Sequence, residues 1–240
     1  MSLSGTVQLF GSDIYTIGTT QLHDLGTIGS TTDGRQYRYA EAGGTDLSPG
    51  KLTVAATIVA NHENISVQAA AAVGAESITV TLGATAATAN DYANGFIGIT
   101  DAAGEGIAYL VSGHPAADTS ATLKLALKES VRVALTTSSE VSLLKNAWKD
   151  VVISVNDQGD MATGVPNVTI SANNFGWVQT RGVCACLADE TIAVGSAVSS
   201  GSSTGGAFET KDVDDAFPEY GYAIQAAVDE EYRLLYLTID

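Results

Sequence analysis

Hydrophobic and polar residues alternate along much of the chain after its first quarter. In the stretch "ESITVTLG", Ile78, Val80 and Leu82 alternate with threonines, and the leucines of "ATLKLAL" repeat the same spacing. Successive side chains of a β-strand point to opposite faces of a sheet, so this period of two predicts strands with one buried face. Two apolar runs, 96–99 and 107–111, flank a glycine-containing turn and predict a hairpin.

The pattern predicts further strands on both sides of residue 146. The segment "SVRVAL" predicts a strand with Val131, Val133 and Leu135 on one face. Five later strands are predicted in "DVVISVND", "VPNVTISAN", "GWVQTRGVCACLAD", "AVGSAVSS" and "EYRLLYLTID". The Gly/Ser tract "SSGSSTGGAF" predicts a loop that closes a hairpin. Because no long amphipathic helix with capping signals occurs in the sequence, the predicted fold class is all-β.

The first 50 residues are rich in Gly, Thr and Asp, and only "RQYRYA" resembles a strand. This segment has too few apolar residues to form its own core. We interpret it as an arm that lies on another surface, with a solvated terminus as the alternative. We therefore predict one or two small antiparallel β-barrel or sandwich modules with an extended N-terminal arm. The predicted divisions are 1–64 for the arm and a docking strand, 65–145 for a first β-module and 146–240 for a second.

Composition and charge restrict the classes of function. The chain is 45 % hydrophobic and carries 27 Asp and Glu against 11 Lys and Arg, a net charge of −16. Its cations are not gathered in one segment, so we expect no nucleic-acid partner and no membrane partner. No run of 18 apolar residues predicts a membrane span, and the first residues lack the order of a secretion signal. The chain is expected to stay in the compartment where it is made.

The two cysteines, Cys184 and Cys186, are separated by one alanine. In a strand both side chains point to the same face, with a Cα separation and parallel Cβ vectors that disfavour a disulfide. A structural zinc site needs about four ligands, whereas His23, His62 and His114 are isolated in the sequence. Buried packing is the favoured interpretation of the cysteines, and metal or redox use is the alternative.

Familiar catalytic motifs are not completed in this sequence. It contains no GxSxG, His62-Glu63 is not followed by the second histidine of HExxH, and "GGTDLSPGKL" departs from a phosphate loop in spacing and in its last residue. The acidic stretches "NDQGD" and "DVDD" offer oxygen ligands for calcium but match no EF-hand, so solvated turns are favoured. We therefore expect no catalytic residues, no cofactor and no metal site, and we expect that the chain is not an enzyme.

Four stretches of the sequence resemble tailed-phage head decoration proteins, also called cement proteins. They are "LGTIGSTTDGRQYRYAEAGGTDLSPGKL", "ITVTLGATAATANDYANGFIGITDAAGEGIAYLVSGH", "TTSSEVSLLKN" and "FGWVQTRGVCACLADETIAVGSAV". The resemblance implies a homotrimer on the outer capsid surface of the virion, made in the host cytoplasm. It implies the major capsid protein as partner, and capsid stabilisation against the pressure of packaged DNA as function.

On this interpretation the N-terminal arm is expected to bind the capsid, because Arg and Tyr are favoured anchors at interfaces. The candidate capsid-binding residues are Arg35, Tyr37, Arg38 and Tyr39, with an ordinary edge strand as the alternative. Trp177 and Gln179 share a strand face and are predicted at a subunit contact, with a core role for Trp177 as the alternative. The alternative function is a phage tail or adhesin module that recognises a receptor or glycan, although such sites usually show clustered exposed aromatics.

Overall fold

A computed structural model describes residues 5–155, 161–212 and 217–240. The chain divides into two compact units, which we call the barrel unit (Thr57–Asn146) and the sheet unit (Met1–Ala56 with Ala147–Asp240). The sheet unit begins with β1 (Val7–Gln8), a 3-10 helix (Asp13–Tyr15), β2 (Ile28–Ser30), β3 (Gln36–Glu41) and β4 (Thr53–Val54). The barrel unit contains a 3-10 helix (Ala60–His62), β5 (Ile65–Ala69), β6 (Ser77–Thr81), β7 (Phe96–Asp101), β8 (Ala108–Gly113), β9 (Thr122–Leu127) and β10 (Glu140–Leu144). The sheet unit resumes with β11 (Val152–Ile153), β12 (Ala162–Pro166), β13 (Phe175–Leu187), β14 (Ala197–Ser200), β15 (Phe208–Thr210), β16 (Gly221–Ala223) and β17 (Tyr232–Thr238).

The barrel unit is a closed antiparallel barrel with the strand order β10-β5-β6-β9-β8-β7. Burial alternates residue by residue along β9, so Leu123 and Leu125 fill the interior while their neighbours face outward. Ile78, Val80 and Leu82 are buried in the same core. The predicted hairpin is formed by β7 and β8, which pair in antiparallel register. The prediction of an all-β fold is therefore confirmed, and this unit is a barrel.

The strand predicted in "SVRVAL" was wrong. Val131 and Leu135 are buried, but Val133 is 43 % exposed and the segment has no regular strand. The backbone N–H groups of Val131 and Leu135 donate to the carbonyls of Ala75 and Ala71, in the connection between β5 and β6. Two anchor points four residues apart hold this segment, and that spacing leaves the intervening valine in solvent.

The sheet unit is built around the 13-residue strand β13. Within the described residues, its sheet has the order β1-β2-β3-β13-β17-β16-β14-β15, with β4, β11 and β12 attached beside this path. The N-terminal half of β13 pairs with β3, so that Trp177 lies opposite Tyr39. The C-terminal half pairs with β17, so that Val183 lies opposite Tyr236. No helix among the described residues has the length and hydropathy needed to cross a bilayer.

The N-terminal residues share a sheet and a core with the C-terminal part of the chain. β3 lies between β2 and β13, and Leu9, Ile14 and Leu25 pack with Tyr39 and Trp177. This arrangement differs from the expected division at 1–64, 65–145 and 146–240. The expected first module lies inside the barrel unit, which interrupts the sheet unit in sequence. Strands far along the chain can therefore complete a core that orders a segment with few apolar residues of its own.

Candidate interaction surface

The inner face of the C-terminal half of β13 carries the two cysteines. Cys184 and Cys186 are both free and buried, and they pack with Leu235 and Leu237 of the paired strand β17. Burial raises the pKa of the Cys186 thiol, because the thiolate would lose its hydration there. The prediction that these side chains share one buried face is confirmed.

The outer face of the same strands carries apolar side chains that remain in solvent. On β13, Val183 and Ala185 alternate with the cysteines and point to the outer face. On β17, Leu234 and Tyr236 alternate with the buried leucines and point to the same outer face. Val183 is 41 % exposed, Tyr236 39 % and Tyr222 of β16 44 %. We call Val183, Ala185, Tyr222, Leu234 and Tyr236 the apolar surface.

The register of the strands makes the apolar surface continuous. Val183 pairs with Tyr236, and Tyr236 pairs in turn with Tyr222, so the three side chains form one row across β13, β17 and β16. Ala185 and Leu234 form the next row. Neighbouring strands lie about 4.8 Å apart, so the row of three spans about 10 Å. Contiguous exposed apolar side chains of this kind mark protein or ligand contacts more often than scattered ones do.

Polar and charged groups border the apolar surface. Arg181 lies one row before Val183 on β13, and its guanidinium donates to the backbone oxygen of Asp240 at 3.5 Å. Glu219 lies close to Tyr222 and raises the pKa of that phenol through a hydrogen bond and through its negative charge. An uncharged centre with a charged border is the usual arrangement of a protein–protein interface.

The structure places the four predicted capsid-binding residues in two environments. Tyr37 and Tyr39 are buried in the sheet unit, so their rings do not form part of its outer surface. Arg35 and Arg38 are partly exposed, and each makes an ion pair within the chain. Arg35 pairs with Asp33, and Arg38 pairs with Asp240.

Arg38 is held from several sides. Its guanidinium donates to Asp240 at 3.0 Å and to the Gly26 carbonyl at 2.8 Å, and it lies 4.8 Å from the ring centroid of Trp148. Arg35 has fewer internal partners, and its side chain is 25 % exposed. Of the predicted capsid contacts, Arg35 is therefore the side chain best placed to meet another molecule.

Trp177 and Gln179, predicted at a subunit contact, are both buried within the sheet unit. The Gln179 amide donates to the carbonyls of Arg181 and Val183 at 3.0 and 2.9 Å and accepts from the Tyr37 hydroxyl at 3.3 Å. These internal hydrogen bonds satisfy its polar atoms inside the fold. The exposed apolar positions lie further along the same strand.

Sequence reasoning missed the apolar surface, although a signal for it exists. In "EYRLLYLTID", apolar residues occupy both alternating sets of positions, which predicts a strand that is apolar on two faces. One set is the buried Leu235 and Leu237, and the other is the exposed Leu234 and Tyr236. The pattern identifies two apolar faces, but it does not identify which face the chain itself covers.

Two histidines that are far apart in sequence meet in the barrel unit around Tyr92. The Tyr92 hydroxyl contacts His62 Nδ1, and the Tyr92 backbone N–H donates to His114 Nε2 at 2.9 Å. His62 Nε2 donates to the Thr85 carbonyl at 2.8 Å, and His114 Nδ1 donates to the Pro115 carbonyl at 2.8 Å. Every ring nitrogen has a partner in the fold, so the arrangement is that of a structural network.

No cluster of three or more His, Cys, Asp or Glu side chains within 5–155, 161–212 and 217–240 has the arrangement of a metal site. The sequence candidates Asn156, Asp157 and Asp160 lie outside the described residues, as do Asp214 and Asp215. No protein-family model matches the chain, and the comparisons found no similar curated protein and no similar solved structure.

Proposed function

We propose that this chain is a structural protein that coats the outer surface of a phage head as a homotrimer and binds the major capsid protein. The observation that carries the proposal is the apolar surface of β13, β17 and β16. The resemblance of the sequence to head decoration proteins supplies the capsid as the assembly. On this proposal the chain stabilises the head against the pressure of packaged DNA and performs no catalysis.

The apolar surface is assigned to the contact between copies of the chain. A chain with a net charge of −16 repels its own copies at long range. Two copies can approach most closely where no ionised side chain lies between them, and Val183, Leu234 and Tyr236 provide such an area. Each Å² of apolar surface that the contact removes from water contributes about 25 cal/mol. Symmetry repeats this contribution in every subunit.

The capsid contact is assigned to Arg35, which is accessible and carries a positive charge on an otherwise acidic chain. A trimer that binds the assembled head more tightly than separated capsomers stabilises the head by linkage. The simultaneous contacts of three identical subunits raise the affinity of the whole above that of one subunit. A modest contact per subunit is therefore sufficient.

The mass of the protein in solution tests the assignment of the apolar surface. In sedimentation equilibrium, we expect the wild-type protein to have a molecular mass three times the chain mass of 24.6 kDa. The variant Tyr236→Glu places a charge at the centre of the surface and should sediment as a monomer. Val73→Glu is the matched control, because Val73 is 65 % exposed in the barrel unit and lies outside this surface. A monomeric wild type, or a trimeric Tyr236→Glu, contradicts the assignment.

Binding to capsids that lack the protein tests the rest of the proposal. Wild-type protein should saturate expanded capsids at a whole-number ratio per three-fold position. Arg35→Glu should weaken this binding and leave the trimer mass unchanged, whereas Lys124→Glu, on an outward position of the barrel, should bind normally. Absence of any wild-type binding to the capsids would refute the capsid function.

The exposed tyrosines favour one second candidate function. Tyr222 of β16 pairs with Tyr236 of β17, and Tyr232 lies four residues earlier on β17. All three are partly exposed, so aromatic side chains gather on one face of the sheet. Clustered aromatic rings beside carboxylates such as Glu219 are suited to sugars, and this supports a tail or adhesin module. Saturation-transfer NMR against a glycan panel distinguishes the two candidates. Binding by monomeric wild type that Tyr236→Ala abolishes would favour the glycan module.

A further inference from the structure

A small cavity lies between the N-terminal segment and the β3–β13 pair of the sheet unit. Its volume is about 170 Å³, and its lining includes Asp13, Ile17, His23, Tyr39, Phe175 and Trp177. An engineered protein cavity of about 150 Å³ binds benzene, so a group of five to seven heavy atoms fits in this space. The cavity is separate from the apolar surface, whose residues do not line it.

Four aromatic rings form one side of the cavity. The Tyr39 ring centroid lies 5.1 Å from that of Trp177 at an angle of 63° and 5.1 Å from that of His23 at 86°. Phe175 stacks with Tyr39 at 6.1 Å and 10°. The rings are held in place because Tyr39 and Trp177 are buried and the Tyr39 hydroxyl accepts the Leu22 N–H at 3.2 Å. Rings fixed in different planes present negative faces in several directions.

A carboxylate completes the lining. Asp13 begins the 3-10 helix Asp13–Tyr15, and the buried neighbour Ile14 anchors that helix in the core. Asp13 Oδ2 accepts the Phe10 N–H at 2.8 Å, which fixes the carboxylate at the cavity. Among the described lining residues there is no lysine or arginine to neutralise it.

We propose that this cavity binds a small organic cation of the ammonium type. Aromatic faces attract such a cation by about 0.5–2 kcal/mol, and the nearby carboxylate adds a Coulombic attraction. A neutral apolar ligand would remove water from Asp13 without compensation, and an anion would be repelled by it. The net charge of −16 raises the local concentration of cations around the protein. The ammonium group belongs either to a free small molecule or to a lysine side chain of a partner.

Titration of the full-length protein with tetramethylammonium, followed by NMR of the tryptophan indole resonances, tests this inference. Tetramethylammonium should shift the Trp177 resonance saturably, and neutral tert-butyl alcohol of similar size should not. Asp13→Asn keeps an acceptor for the Phe10 N–H but removes the charge, so it should weaken binding about fivefold. Asp24→Asn is the matched control, because Asp24 is exposed nearby but does not line the cavity.

A second titration with N-acetyl-lysine methylamide distinguishes the two sources of the ammonium group. A saturable shift with this probe assigns the cavity to a partner's lysine, and a shift with tetramethylammonium alone assigns it to a free small cation. Three results overturn the proposal: no saturable shift with either cation, an equal response to tert-butyl alcohol, or unchanged affinity in Asp13→Asn. The proposal does not depend on the proposed capsid function, because none of these readouts involves a capsid.

Discussion

The two halves of β13 show how similar side chains reach opposite environments in one strand. In the N-terminal half, Trp177 is 4 % exposed because Leu9, Ile14 and Leu25 cover it. In the C-terminal half, Val183 is 41 % exposed, and within the described residues no segment covers it. Both positions are apolar, so residue type does not cause the difference. The cause is a register shift between Gln179 and Arg181, which turns Trp177 and Val183 to opposite faces of the sheet. The N-terminal segment covers the face of Trp177.

This difference separates the surface that the chain completes by itself from the surface that it leaves for a partner. The N-terminal segment adds little apolar area of its own, yet it converts one half of a sheet face into a core. In the C-terminal half, the face opposite to the buried cysteines keeps its apolar side chains without a cover, which costs free energy in water. The proposed trimer contact would give the C-terminal half the cover that the N-terminal segment gives to the first.

The largest expected effect comes from removing the side chain at the centre of the covered half. Trp177→Ala should lower the free energy of unfolding by about 3–5 kcal/mol, because it leaves a large cavity beneath Tyr39. Val183→Ala, in the uncovered half of the same strand, should change it by about 0.5 kcal/mol. Urea unfolding at one fixed protein concentration, low enough for the chain to be a monomer, followed by the fluorescence of Trp148 in the same unit, measures both variants.

The ratio of the two effects is the informative quantity. Equal losses in Trp177→Ala and Val183→Ala would mean that the two halves of β13 are equally covered in solution. The contrast between them would then be refuted. A loss at Val183 that grows with protein concentration would instead locate its cover in another copy of the chain.

An intermediate effect is expected at the pairing of β16 with β17, which places Tyr222 beside Tyr236. A Cβ atom added at Gly221 would lie 3.0 Å from the carbonyl carbon of Tyr236 and closer still to its oxygen. Gly221→Ala should therefore push β16 away from β17, lower the free energy of unfolding by about 1–3 kcal/mol and separate Tyr222 from Tyr236. The accessibility of Tyr222 to chemical modification should rise.

The matched control for this variant lies in the barrel unit. Gly98 is a strand glycine with no heavy atom within 4 Å of an added Cβ, so Gly98→Ala should leave stability close to that of wild type. If Gly221→Ala behaves like Gly98→Ala, the close approach of β16 and β17 does not hold the row of tyrosines together.

The sequence predicts the strands well because alternation is a local property. Ile78, Val80 and the two cysteines all lie on buried faces as their spacing predicts. The environments of Tyr37 and Trp177 could not be predicted, because they depend on pairing between strands more than 130 residues apart. Alternation also fails where a segment is held at two points instead of along a ladder, and Val133 is exposed for that reason. The apolar surface escaped prediction because both faces of β17 are apolar.

The smallest expected effect uses pH to compare the two halves. Burial raises the pKa of Tyr37 and of Tyr39 above the ordinary value of 10.0, because the phenolate would lose its hydration. The unfolded chain releases these protons first, so stability should fall as pH rises above about 10. Tyr37→Phe loses the hydrogen bond to Gln179, which lowers its free energy of unfolding at neutral pH. Between about pH 8 and pH 11, however, the free energy of unfolding of Tyr37→Phe should fall by about 1 kcal/mol less than that of wild type. Val183→Ala removes no titrating group and should follow wild type across the same range. Urea unfolding at each pH measures all three proteins, and an alkaline loss in Tyr37→Phe equal to that of wild type would show that the covered half does not hold this phenol away from water.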